Sequence, residues 1–319
     1  MKGTINGESL RDLYKSLRVN VLSLDIYTGI MLLLYSIMAL IFYPYVPMAS
    51  SILFQNVLIA STIIASILLY SLTGSRVFAL LRYFYIIPVI YIMYDQTHFF
   101  VRVVHPVDYD DVLIVVDRII FGTDPTMWFS KYSFPALTEY LQICYFLFYL
   151  MPIMQAVELW KRNDIKRLES FARAMAFCYF ISYVMYFGMP AVGPRFTLHD
   201  FSTINTDLPG LFLTNILRGL IDAGGGITWG AADPISIVNR DCMPSGHTML
   251  TLVNISLAFF NRSKFRWFFA VVGGSLVIST VYLRYHYGID VLFGAALVLL
   301  TLPLEPIADR AIKRYLDTK

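Results

Sequence analysis

Eight stretches of this chain are apolar over roughly the depth of a bilayer, and nothing else in the sequence limits its fold so strongly. Their approximate limits are residues 24–44, 52–73, 77–97, 135–159, 168–189, 247–260, 266–283 and 288–304. A spanning helix needs about 20 apolar residues. Inside lipid a segment must satisfy its own backbone polar groups, which a helix does alone. The sixth and eighth stretches are short against a lower limit of about 17 residues and need a packed bundle around them. The expectation is an all-α fold, a polytopic membrane helix bundle of about eight spans. Composition agrees: 15% of residues are charged and 57% apolar, whereas soluble chains carry about 25% charged residues. No nucleic-acid partner is expected. Cys144, Cys178 and Cys242 are an odd, scattered set that makes neither a disulfide framework nor a zinc spacing. The first 20 residues are polar and lack the apolar core of a cleavable signal peptide.

Basic residues set the orientation. Lys2, Arg11, Lys15 and Arg18 precede the first stretch, and Arg76 follows the second. Lys161, Arg162, Lys166 and Arg167 follow the fourth, Arg262, Lys264 and Arg266 separate the sixth from the seventh, and Arg310, Lys313 and Arg314 follow the eighth. With alternating spans all of these fall on one side, so both termini are expected in the cytoplasm. The extracytoplasmic side, periplasmic or lumenal, then receives long loops at about 98–134 and 190–246 and a short turn at 284–287. Loops this long are usually functional. The run DDVLIVVDRIIF, ending at Phe121, and Leu211 to Ile221 are amphipathic and are expected to lie flat on the bilayer. Asp108, Asp110, Asp111 and Asp117 are read as a solvated loop with that helix rather than as a metal site.

Two segments carry the chemistry. In Pro244-Ser245-Gly246-His247, Ser245 is a good N-cap and His247 opens the sixth stretch. A helix N-terminus favours an anion, and Gly246 lets one approach the backbone closely. In His286-Tyr287-Gly288-Ile289-Asp290, the histidine and aspartate are four residues apart and share a helical face. The carboxylate can accept the Nδ1 proton and leave Nε2 as a nucleophile. Asp290 also lies just inside an apolar helix, where an ionisable group is costly. The bland alternatives are a capped helix end and a histidine–aspartate pair anchoring another. An even number of crossings separates His247 from His286, so both face the same side. Arg195, set between Gly193-Pro194 and Phe196, is a cation on that side suited to phosphate oxygens. Arg240 and Arg284 are further cations near the histidines.

These residues resemble the type 2 phosphatidic acid phosphatase (PAP2) superfamily, which includes lipid phosphate phosphatases and vanadium haloperoxidases. The second family motif, PSGH, stands at Pro244 to His247, the third ends as His286 to Asp290, and the first ends in an arginine at Arg195. The resemblance covers about residues 77–304, a six-helix core. Residues 1–76 look like a cytoplasmic N-terminal segment with two accessory spans, and 305–319 like a cytoplasmic tail.

Two motif cations are absent: Gly188 stands where the family has a lysine, and Thr280 where it has an arginine. Arg284 or Arg240 is a candidate replacement. What is left, two histidines and an aspartate, is similar to the branch of inositol phosphorylceramide and sphingomyelin synthases. A phosphodiester carries one charge and needs fewer fixed cations than a nearly dianionic monoester. The resemblance implies headgroup transfer between lipids through a phosphohistidine. His286 is the nucleophile, Asp290 its orienter and His247 the acid and then base, while Arg195, Ser245, Gly246, Arg240 and Arg284 bind phosphate. No metal or cofactor is expected, because cations and dipoles can clamp the phosphoryl group. The expected partners are lipids: a phospholipid donor and a lipid alcohol or water as acceptor. A lipid phosphate phosphatase is the alternative; haloperoxidase chemistry and a non-catalytic transporter or scaffold are more distant.

Overall fold

Helices account for all eight apolar stretches in the computed structural model, which describes residues 17–318. Lys2, Arg11 and Lys15 of the N-terminal basic cluster lie outside the described residues. The long helices are α1 (Ser23–Ile41), α2 (Ala49–Thr73), α3 (Arg76–Phe84), α4 (Ile86–Val104), α5 (Asp110–Phe121) and α6 (Pro135–Phe146). They are followed by α7 (Met151–Lys161), α8 (Ile165–Met185), α9 (Thr214–Gly224), α10 (Gly246–Phe260), α11 (Arg266–Tyr282) and α12 (Gly288–Thr318). No described residue forms a strand. Among the described residues, four helices are long and apolar enough to cross a bilayer: Ser23–Ile41, Ala49–Thr73, Arg76–Val104 and Gly288–Leu316. The chain is an integral membrane protein with an all-α polytopic bundle.

Two stretches differ from the sequence expectation. Residues 135–159 are not one straight span: α6 and α7 meet at 50° across a 3₁₀ turn at Leu147–Tyr149. Pro152, in the first turn of α7, has no N–H to donate back into α6 and its ring crowds the preceding carbonyls. The last helix does not stop near 304 but runs to Thr318, through Pro303 and Pro306. Its continuation buries Glu305 and Asp309. Arg173 of α8 pairs with Glu305, and with Asp309 at 3.2 Å. Ser23 and Tyr27 of α1 donate to Asp309 (2.6 Å) and Glu305 (3.2 Å). Arg82 pairs with Asp25 at 2.9 Å. Unpaired charges are very costly in an apolar bundle, so this network fixes α1 against α3, α8 and α12.

Apolar packing divides around α8. One core joins α1, α2 and α4 to one side of α8, through Tyr35, Met93, Phe100, Ala176 and Tyr183. The other joins α6–α7, α10, α11 and α12 to the opposite side, through Phe148, Met175, Met249, Phe269 and Leu297. The amphipathic helices are present as α5 and α9, with Ile119 and Ile216 exposed. Glu139 of α6 receives the free N–H groups of Leu211, Phe212, Leu213 and Thr214, which anchors the start of α9.

Candidate active site

The start of α10, the end of α11 and the start of α12 come together at one end of the bundle, under the loops at 190–195 and 239–245. Ser245 caps α10 by accepting from Thr248 N at 3.2 Å. Its backbone N–H donates to the Asp290 carbonyl at 3.1 Å, tying α10 to α12. Gly246 is required by space: a Cβ there would lie 2.3 Å from Tyr186 Oη. The loop at 190–195 folds tightly against the turn before α12. Gly193 sits at φ +98°, and a Cβ on it would lie 2.9 Å from the Tyr285 carbonyl. Arg195 N donates to the Arg284 carbonyl at 3.1 Å.

Sequence reasoning gave no role to the buckle that holds these loops. Asp110 of α5 accepts from Val192 N (3.0 Å), Gly193 N (2.8 Å) and Tyr287 Oη (2.7 Å). Asp117, two turns on, accepts from Gly288 N (2.8 Å) and Ile289 N (2.7 Å), the first free donors of α12. Asp110 and Asp117 are buried, so they are not part of a solvated loop as expected. Their seven-residue spacing on an amphipathic helix puts both on the face away from lipid. Burial pushes the Asp117 carboxyl up to about 6, against the two N–H groups that favour its charge.

The two imidazoles come within 5.8 Å, centroid to centroid. Nδ1 of His286 lies 2.8 Å from the Cys242 carbonyl and 3.5 Å from Asp290 Oδ2. A carbonyl accepts only, so the bond puts the proton on Nδ1 and leaves Nε2 as the free lone pair. Asp290 is wholly buried and accepts from Cys242 Sγ and from Tyr287 N, both at 2.9 Å. Cys242, His286 and Asp290 offer ligand atoms within 4.8 Å of one another. Burial and the neighbouring carboxylates hold the Cys242 thiol well above its usual range, which makes it a proton donor to Asp290 rather than a thiolate.

His247 is set by the broken span. The bend between α6 and α7 brings Tyr145 and Phe148 onto its ring, at centroid distances of 4.5 and 4.4 Å. Tyr145 Oη lies 3.3 Å from His247 Nδ1, while Nε2 is buried without a partner. Arg195 stacks on Tyr285 and is ion-paired with Asp222. Burial opposes its charge, but Asp222 and the tyrosines around it hold its pKa above the usual value.

A polar pocket of about 50 Å³ is lined by Arg195, Asp241, His247, Tyr285 and His286, among others. Beside it an apolar cleft of about 480 Å³ runs between α4, α7 and α8, past Ile90, Ile153, Ala172 and Tyr179. Arg240 and Arg284 do not line the pocket. Arg240 pairs with Asp108 at 3.2 Å, and Arg284 with Asp207 at 2.8 Å. Arg284 takes a left-handed φ of 67°, rare for a residue with a side chain, and its buried guanidinium also reaches Ser130. The hydroxyl of Ser245 is turned to its own helix. In the sequence Asp241 reads as part of the 190–246 loop, six positions before His247.

Fold and site define a polytopic membrane protein with a paired-histidine pocket at one end of its helix bundle. The chain belongs to the PAP2 superfamily, a family of phosphatases and phosphotransferases: the family model described as PAP2 superfamily matches residues 113–304. It is also similar to a PA-phosphatase related-family protein of Dictyostelium discoideum, 27% identical over 199 residues. That match takes in 56% of this chain and 33% of the relative, so the chain spans about a third of the length of the curated relative it matches. No solved structure matches the chain.

Proposed function

We propose that the chain transfers a phosphorylated headgroup between membrane lipids through a phosphohistidine on His286, in the manner of inositol phosphorylceramide synthases. The imidazole pair carries the reading: His286 holds its proton on Nδ1 against the Cys242 carbonyl, and His247 Nε2 is unpartnered 5.8 Å away, ring to ring. In this reaction His286 Nε2 attacks phosphorus as the bond to the leaving lipid alkoxide breaks. His247 gives that alkoxide a proton and takes one from the acceptor alcohol, which attacks the phosphohistidine. Asp290 offsets the charge on the imidazolium. Arg195 and the amide of Gly246 receive the phosphoryl oxygens at the α10 N-terminus, while the Ser245 amide stays with the Asp290 carbonyl. Arg240 and Arg284, both tied to carboxylates, have no direct part.

The donor in this reading is a phospholipid and the acceptor a lipid alcohol. The cleft of about 480 Å³ beside the pocket is apolar, as a lipid chain requires. The pattern of basic residues supports eight crossings, cytoplasmic termini and an extracytoplasmic site. The extent of the family resemblance supports accessory spans within 1–76 and a catalytic core at 77–304, while residues 305–318 continue the last helix into the bundle rather than form a separate tail. A second reading, release of phosphate from a lipid phosphate, is favoured by the name of the Dictyostelium relative. Water is the acceptor in that case.

Both readings are tested with labelled phosphatidylinositol and phosphatidic acid, with and without ceramide or diacylglycerol. A new phospholipid identifies transfer and free phosphate identifies hydrolysis. His286→Ala and His247→Ala are each expected to lower turnover by at least the roughly 10²–10⁴-fold of a lost acid–base group. Undiminished turnover in either variant sinks the mechanism.

A further inference from the structure

Pocket and cleft adjoin at Tyr94, Tyr149, Gly224, Asp241 and His247, which line both. One of these five carries a fixed negative charge. Asp241 Oδ2 accepts from Tyr94 Oη at 2.6 Å, and among the described residues no group hydrogen-bonds its Oδ1. Burial opposes its charge, and the Tyr94 hydroxyl favours it across 2.6 Å, the length of a hydrogen bond to an ionised carboxylate. It is ionised at neutral pH, beside the place where a phosphate would meet its lipid chain.

The cations do not offset it. Among the described residues Arg195 is the one guanidinium lining the pocket, and Asp222 already pairs with it. Arg240 and Arg284 are committed to Asp108 and Asp207.

We infer that Asp241 is a charge filter: it makes the pocket select singly charged phosphodiesters and reject dianionic phosphomonoesters. The inference rests on the proposed phosphoryl chemistry of the pocket and adds the class of donor. Each negative charge brought into the pocket meets the Asp241 carboxylate. A monoester carries about 1.5–2 charges at pH 7. One further unit charge facing a carboxylate across about 6 Å, at an effective dielectric of about 20, weakens binding roughly a hundredfold. Asp241 touches neither the bond made nor the bond broken. Its effect is on which ground state enters.

The test measures binding of methyl phosphate and of dimethyl phosphate to the detergent-solubilised full chain at pH 8, by thermal protection. The wild type is expected to bind dimethyl phosphate more tightly. Asp241→Asn is expected to strengthen methyl phosphate binding by ten- to a hundredfold and to change dimethyl phosphate binding less. Asp241→Glu keeps the charge and is expected to keep the preference. Wild-type binding of methyl phosphate as tight as that of dimethyl phosphate overturns the inference. So does an Asp241→Asn protein in which both affinities change by the same factor. Should Asp241→Asn fail to fold, the wild-type preference alone decides. These readouts need no turnover, so an inactive chain that still prefers the diester refutes the transferase reading and leaves the filter standing.

Discussion

Replacing Asp110 is expected to loosen the active site from outside it. The carboxylate receives three buried donors, Val192 N, Gly193 N and Tyr287 Oη, and so joins the Arg195 loop to the turn that carries His286. A buried donor left without a partner costs about 1–3 kcal/mol. Asp110→Ala orphans both amides, while the Tyr287 hydroxyl keeps Thr197 at 2.6 Å. The expected loss is therefore about 2–6 kcal/mol. Asp110→Asn keeps one acceptor oxygen and turns an N–H donor towards one amide, for about 1–3 kcal/mol. At roughly 2–4 °C per kcal/mol, the asparagine variant should unfold several degrees early and the alanine variant earlier still. The assay is thermal unfolding of the detergent-solubilised protein, with headgroup release measured well below the transition. Turnover is expected to fall in both variants even where they are folded, because Gly193 sets the position of Arg195. An Asp110→Ala protein that melts within a degree of wild type, with full turnover, refutes the reasoning.

Tyr145→Phe removes the hydroxyl 3.3 Å from His247 Nδ1 but keeps the ring that stacks on it. A net hydrogen bond of about 0.5–1.5 kcal/mol predicts a two- to tenfold loss of turnover with little change in melting; no loss shows that Nδ1 is held by stacking alone. The Asp117 carboxyl, raised to about 6 by burial, favours its neutral form in the folded state. Its stabilising share is complete below about pH 4, near the unfolded value, and is lost as the pH rises through about 6. Asp117→Asn should flatten that part of the melting profile. A slope between pH 4 and 7 that is the same in wild type and variant counts against it.

Much of the fold could be read directly. Residues 266–283 and 52–73 are mostly apolar and hold one charged residue between them, Arg266, and a helix is the way such a segment satisfies its backbone in lipid. The break at Leu147–Tyr149 was harder to see. Pro152 near the middle of an apolar run is often tolerated in a span, and the 50° bend depends on what α7 packs against. The site was partly legible. His247 and His286 stand in short motifs with fixed spacing, and the parity of spans brings them to one side. The tyrosines around them, Tyr94, Tyr145 and Tyr285, gave no signal, because 22 tyrosines scattered through apolar helices look alike.

The charged residues mark the boundary most clearly. By itself the sequence determined a helical membrane bundle, a helix N-terminus beside His247 and a carboxylate one turn beyond His286. Those follow from hydropathy and from spacing within one helix, which are local. Which charges face the pocket is a matter of long-range pairing. Arg240 and Arg284 are neighbours of the motifs in sequence, yet Asp108 and Asp207, 132 and 77 residues away, draw them off. Asp241, adjacent to Arg240, is turned inward instead by Tyr94 from α4. Only the packing of distant helices decided that the pocket has a carboxylate where two spare cations were expected.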